Sequence, residues 1–152
     1  MSYSDQDTQA MYAALEQAAL AADAGEVPVG AVVVIDNEIV ATGHNATIVN
    51  KDPSGHAEII ALRAAAEARG NHRLVDATLY VSLEPCVMCV GALAQARVKR
   101  VVFGAYDAKA GALGSAADLA DSRALNHRFE INGGLLAEES GALLKEFFQS
   151  RR

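Results

Sequence analysis

A chain of 152 residues with 51% apolar side chains fits one compact domain, residues 1–152, around a single core. Its only cysteines, Cys86 and Cys89, exclude a disulfide framework and point to a reducing, cytoplasmic compartment, while the longest apolar stretch, 27–35, is interrupted by Pro28 and Gly30, which argues for a soluble protein without signal peptide or membrane span. The net charge of -6 argues weakly against a polyanionic partner, but all 13 basic residues follow residue 50, so local basic patches remain open at Arg97, Lys99 and Arg100, at Arg123 and Arg128, and at Lys145, Arg151 and Arg152.

Residues 8–24 carry Ala, Leu, Glu and Gln at helical spacing, with Gly25 as a stop. A β-branched run over 29–35, a polar turn over 36–38 and a second run over 39–43 predict a hairpin. Asn45 lies just past its end, and a loop follows through Asn50, Asp52, Pro53 and Gly55. Residues 56–69 read as a helix ended by Gly70, 77–83 as a buried strand, 86–96 as a helix and 98–104 as a strand. The Ala- and Gly-rich stretch from 104 to about 115 is too apolar for a disordered linker and predicts a shaped loop. A short strand at 129–131 and an amphipathic helix over 137–149 complete the pattern. Helices alternating with strands behind a hairpin predict an α/β domain whose mixed sheet is covered on both faces.

Two short motifs carry the chemistry, His56-Ala57-Glu58 and Pro85-Cys86-Val87-Met88-Cys89. One imidazole and two thiolates make three ligands for one zinc ion per chain, which leaves the fourth tetrahedral position for water. Both motifs fall where a strand or loop enters a helix, where outward N–H groups and the helix dipole favour thiolate. Glu58 is out of step with a further helical ligand three or four residues from His56, which favours a proton carrier. Two plainer readings stand beside this one. Cys-x-x-Cys also serves as a redox pair, and a purely structural zinc would need a fourth ligand from His44, His72 or His127.

This His-x-Glu and Pro-Cys-x-x-Cys pair is the signature of the zinc nucleobase deaminases. The chain resembles the bacterial tRNA adenosine deaminases of the cytidine deaminase-like superfamily over nearly its whole length. The likeness is carried by Glu26-Val27-Pro28-Val29-Gly30-Ala31, the stretch 52–63, Asp76-Ala77-Thr78-Leu79-Tyr80-Val81, Leu83-Glu84-Pro85, Arg100-Val101-Val102-Phe103-Gly104-Ala105, Asp107-Ala108-Lys109, Asn126-His127-Arg128 and Phe147-Phe148. The resemblance implies a three-layer α/β/α fold with a mixed five-stranded sheet. It further implies a homodimer that converts adenosine to inosine at the wobble position of a tRNA anticodon stem-loop, typically of an arginine tRNA. By the same resemblance His56, Cys86 and Cys89 bind zinc, and Glu58 moves protons from the zinc-activated water to ring N1 and then to the leaving amino group. Asn45, Val29, Ala57, Asp107 and Phe148 are the implied substrate contacts. The chain departs from close relatives at His44, Gly55 and Tyr106 and over 119–125. A free nucleobase or nucleoside deaminase of guanine or cytosine type is the alternative enzyme, and a non-catalytic zinc-bearing RNA-binding module the alternative of another class. Against the latter stands Glu58, for which a structural site has no use.

Overall fold

The computed structural model describes residues 2–151, so Arg152, named above in a basic patch, lies outside the described residues. The first helix, α1 (Asp5–Asp23), begins earlier than the apolar spacing predicts. Its start is a capping box in which the Ser4 hydroxyl accepts the Asp7 N–H at 3.0 Å and the Ser4 N–H donates to the Asp7 carboxylate at 3.1 Å.

Strands β1 (Gly30–Ile35) and β2 (Glu38–His44) form the expected hairpin. Its turn is the two residues Asp36 and Asn37, both at positive φ (53° and 64°), the backbone twist that two-residue hairpins favour. The register shifts between Val33 and Val34, which pair with Ala41 and Ile39 and leave Val40 as a bulge on β2. Helix α2 (Ala57–Arg69) ends at Gly70, left-handed at φ 66°, as anticipated. Then follow β3 (Thr78–Leu83), α3 (Val87–Gln95), β4 (Arg100–Ala105), β5 (Glu130–Asn132) and α4 (Ala137–Gln149).

The sheet order is β2-β1-β3-β4-β5, with β1 antiparallel to both neighbours and β3, β4 and β5 parallel. Alternation along β1 sorts the two cores. Ala31, Val33 and Ile35 join Ala57, Ala61, Leu62 and Leu93 under α2 and α3, whereas Val32 joins Ala10, Met11, Ala14 and Tyr80 under α1. Helix α4 packs on β4 and against α1, which gives the three-layer α/β/α arrangement that the resemblance implies.

Two glycines permit the closest helix–sheet approaches. A Cβ on Gly30 would overlap backbone atoms of Ala14 and Ala18 in α1, and one on Gly43 would sit 2.7 Å from the Ala57 carbonyl oxygen and the Ala61 nitrogen in α2. The second approach seats the N-terminal turn of α2 directly against the end of β2. No described helix is long and apolar enough to cross a membrane.

Candidate active site

His56 and Cys86 are the N-cap residues of α2 and α3, each with extended backbone and neither side chain engaged in capping. Both side chains are therefore free to turn toward one another. Because β3 leads into α3 beside β1, the two helix starts meet at one end of the sheet. His56 Nδ1 lies 3.6 Å from Cys86 Sγ and 3.5 Å from Cys89 Sγ, and the three donor atoms all lie within 4.8 Å of one another. Zinc with Zn–S of about 2.3 Å and Zn–N of about 2.0–2.1 Å, in tetrahedral geometry, sets S···N at about 3.6 Å. The donor set thus fits a tetrahedral zinc in both chemistry and spacing. Among the described residues this trio is the one such cluster, and His44, His72 and His127 stand outside it. His44 instead lies 3.1 Å from Gln17 Oε1, and His127 Nε2 lies 2.6 Å from the Val98 carbonyl oxygen. No fourth protein ligand comes from these histidines.

The thiols respond to one another and to His56. Hydrogen bonding from Cys89 and then from His56 holds the Cys86 thiol down at about 3, whereas the Cys86 partner and burial push Cys89 up. A divalent cation on the same atoms reverses the second direction, since a coordinating thiol is deprotonated. Glu58, in the first turn of α2, is buried, and that burial pushes its carboxyl up to about 7 despite the opposing pull of its own backbone hydrogen bond and of His56. A cation beside it draws that value back down.

Val27, Val29, Asn45, Thr47, His56, Glu58, Leu83, Glu84, Cys86, Asp107 and Ala110 enclose a cavity of about 240 Å³. Of the expected substrate contacts, Val29, Asn45 and Asp107 therefore share one space with Glu58 and two of the three donors. Ala57 enters differently. Its N–H donates to Asn45 Oδ1 at 2.9 Å, so Asn45 supplies the helix cap that His56 leaves open. The Ala57 N–H is thereby engaged, and the Asn45 amide NH₂, on a residue of the cavity wall, keeps its two donors. Phe148 is not among the lining residues; it lies exposed on α4, in the layer opposite α2 and α3, with its ring edge-on to Phe147 at 5.4 Å. Arg151, on the same segment, stacks over Phe147 at 3.8 Å.

Two buried carboxyl groups that the motif reading left without a role hold the cavity's loops. Glu26 accepts the N–H groups of Ile48 and Val49, the latter at 2.8 Å, and the Thr47 hydroxyl at 3.3 Å. Burial opposes its ionisation, but the Val49 and Ile48 N–H groups prevail and its pKa is lowered. Glu84 accepts from the backbone of Asp107, Leu113 and Ser115 and from the Ser115 hydroxyl. Neither residue has a ligand-like spacing that would betray it, because its partners lie 21 to 31 residues away. Of the positions expected to depart from close relatives, Gly55 is buried in the loop immediately before His56, and Tyr106 stands exposed with its ring edge-on to Phe103 at 5.1 Å.

Residues 5–152 match the MafB19-like deaminase family. The tRNA-specific adenosine deaminase of Haemophilus influenzae is 51% identical over 150 residues, covering 98% of this chain and 87% of that protein. That of Bacillus subtilis is 44% identical over 147 residues, covering 97% and 91%. A solved structure from work on A-to-I editing by tRNA:A34 deaminases at the wobble position of transfer RNA superposes with a TM-score of 0.88 at 41% identity, covering 90% of this chain and 99% of that one.

Proposed function

This chain belongs to the MafB19-like deaminase family, among the tRNA-specific adenosine deaminases, and from that premise we propose that it hydrolyses adenosine to inosine and ammonia at the wobble position of a tRNA anticodon, with one zinc ion per chain. The observation that carries the reading is the meeting of His56, Cys86 and Cys89 at zinc-compatible spacing in the same cavity as the buried carboxyl of Glu58. When bound, zinc supplies Lewis-acid activation of water at neutral pH.

The chain's own groups do the rest. Glu58 accepts a proton from the attacking water and delivers it to ring N1 as the C6–O bond forms. It then takes the proton of the new C6 hydroxyl and passes it to the amino group as the C6–N bond breaks, so that water and adenosine leave as inosine and ammonia. The Asn45 amide donates to an acceptor on the base edge. Val29 and Leu83 exclude bulk water from the ring, and Asp107 stands at the cavity wall near the target nucleotide. Phe148, exposed and outside the cavity lining, suits contact with RNA beyond the edited base. A homodimer, an arginine tRNA as substrate and a cytoplasmic setting complete the proposal.

The deciding assay measures ammonia and inosine from an anticodon stem-loop with adenosine at the wobble position, beside free adenosine, guanine and cytidine. The stem-loop should be turned over efficiently and free adenosine little. Preferred turnover of guanine or cytidine would replace the tRNA assignment with the nucleobase one while leaving the site chemistry standing.

A further inference from the structure

Glu84 is 2% exposed, and among the described residues every donor to its carboxylate comes from one segment, 107–115. Asp107 N–H reaches Oε1 at 3.1 Å, Leu113 and Ser115 N–H reach Oε2 at 3.0 and 3.1 Å, and the Ser115 hydroxyl closes on Oε1. The next residue joins in, since the Pro85 carbonyl accepts the Ala112 N–H at 2.8 Å. Gly111 seals the arrangement: a Cβ there would fall onto the Glu84 carboxyl and 2.6 Å from the Asp107 carbonyl oxygen. Asp107 turns back on its own loop, with Oδ1 accepting the Lys109 and Ala110 N–H groups at 3.1 Å. Asp107 and Ala110 are cavity wall, and Cys86 follows Glu84 by two positions.

We infer that Glu84 is a positioning residue for substrate recognition: by gathering the 107–115 segment onto the stretch that bears Cys86, it fixes the Asp107 wall of the cavity at a set distance from the metal donors. The assignment rests on the deaminase reading of that cavity. A carboxylate suits the task because it accepts at both oxygens, whereas an amide of the same shape presents N–H groups to N–H groups at one of them. Glu26 stands as an internal control, for it holds a different loop through Ile48 and Val49.

The test compares wild-type protein with Glu84→Gln. In the variant, hydrogen exchange at the Asp107, Leu113 and Ser115 amides should accelerate, while the Ile48 and Val49 amides keep their wild-type rates. Zinc content should stay at one per chain. With the anticodon stem-loop, KM should rise about tenfold or more while kcat stays within about threefold, the pattern of lost binding rather than lost chemistry. Gly111→Ala, which displaces the loop with the carboxylate intact, should reproduce the same split and decides the matter if Glu84→Gln does not fold. An unchanged KM in a folded, zinc-bearing variant, or loss of zinc and kcat at constant KM, overturns the assignment alone. Inactivity of the wild-type protein on the stem-loop overturns the functional reading and the assignment with it.

Discussion

Each thiol of the donor trio would supply one corner of the tetrahedron of a bound zinc, so losing either would leave two ligands where three are required. Cys86→Ser or Cys89→Ser should abolish the stoichiometric zinc of the purified protein, read by elemental analysis; full zinc and activity in either variant would dismiss the ligand assignment. Glu58 differs, because it is buried beside the donors without belonging to their cluster. Glu58→Ala should retain zinc and fold while turnover of the stem-loop drops by at least ~10²–10⁴-fold. Zinc lost together with activity would make Glu58 a ligand instead. That these four residues come together was legible in the sequence, because ligand chemistry imposes residue type and spacing on short motifs. Glu26 and Glu84 were not, because what they hold is backbone N–H, which any residue offers. For Asn45 the motif resemblance indicated the position, yet its bond to the Ala57 N–H emerges only when the hairpin end is folded against α2.

Among the elements, α1 is tied to the sheet by polar as well as apolar contacts. Asp7 accepts from Tyr80 at 2.6 Å and from Arg100 Nη1 at 2.8 Å, and Arg100 in turn reaches Asn132 and Glu130. Burial alone would raise the Asp7 pKa, but the Arg100, Tyr80 and Ser4 hydrogen bonds bring it to about 2, below its ordinary 3.8. Its contribution is therefore whole above about pH 4 and lost as pH falls toward about 2, on the order of 1–2 kcal/mol. Asp7→Asn should lower the stability measured by urea unfolding at pH 7, and the gap from wild type should narrow as pH falls from 4 to 2; a gap independent of pH would refute the linkage. Gly30→Ala tests the apolar side of the same junction. With its Cβ driven into the α1 backbone it should cost about 1–3 kcal/mol or more, visible as a lowered Tm with zinc retained. Strand and helix types were readable from period and composition, and the ends moved by a few residues where a cap decided them. The start of α1 shifted most, since Asp rather than Glu or Gln stands at the third position of its capping box.

For the molecule as a whole, a net charge of -6 sets the terms on which it meets a polyanion. On the proposed function, recognition should rest on an unpaired base drawn into the cavity, aided by few phosphate contacts. Stem-loop affinity should accordingly fall with salt at a log–log slope of only about -2 to -4, as expected for three to five contacts to a single strand. Anisotropy titrations from low to moderate salt would show it, and a much steeper slope would require a broad basic face. Architecture was legible from the order of elements and the β1–β2 hairpin from its turn, but the pairing of β1 with β3 on its other side arises from tertiary packing that no local pattern encodes. The bulge at Val40 carries a further consequence for the borders of the sheet. Strand β2 is one border of the sheet, twisted out of flatness by its unpaired residue, and the opposite border, β5, is three residues long with the exposed Glu130 upon it. Neither border templates the addition of another strand, so the sheet is guarded against edge-to-edge aggregation, and the dimer proposed above would meet through helices or loops.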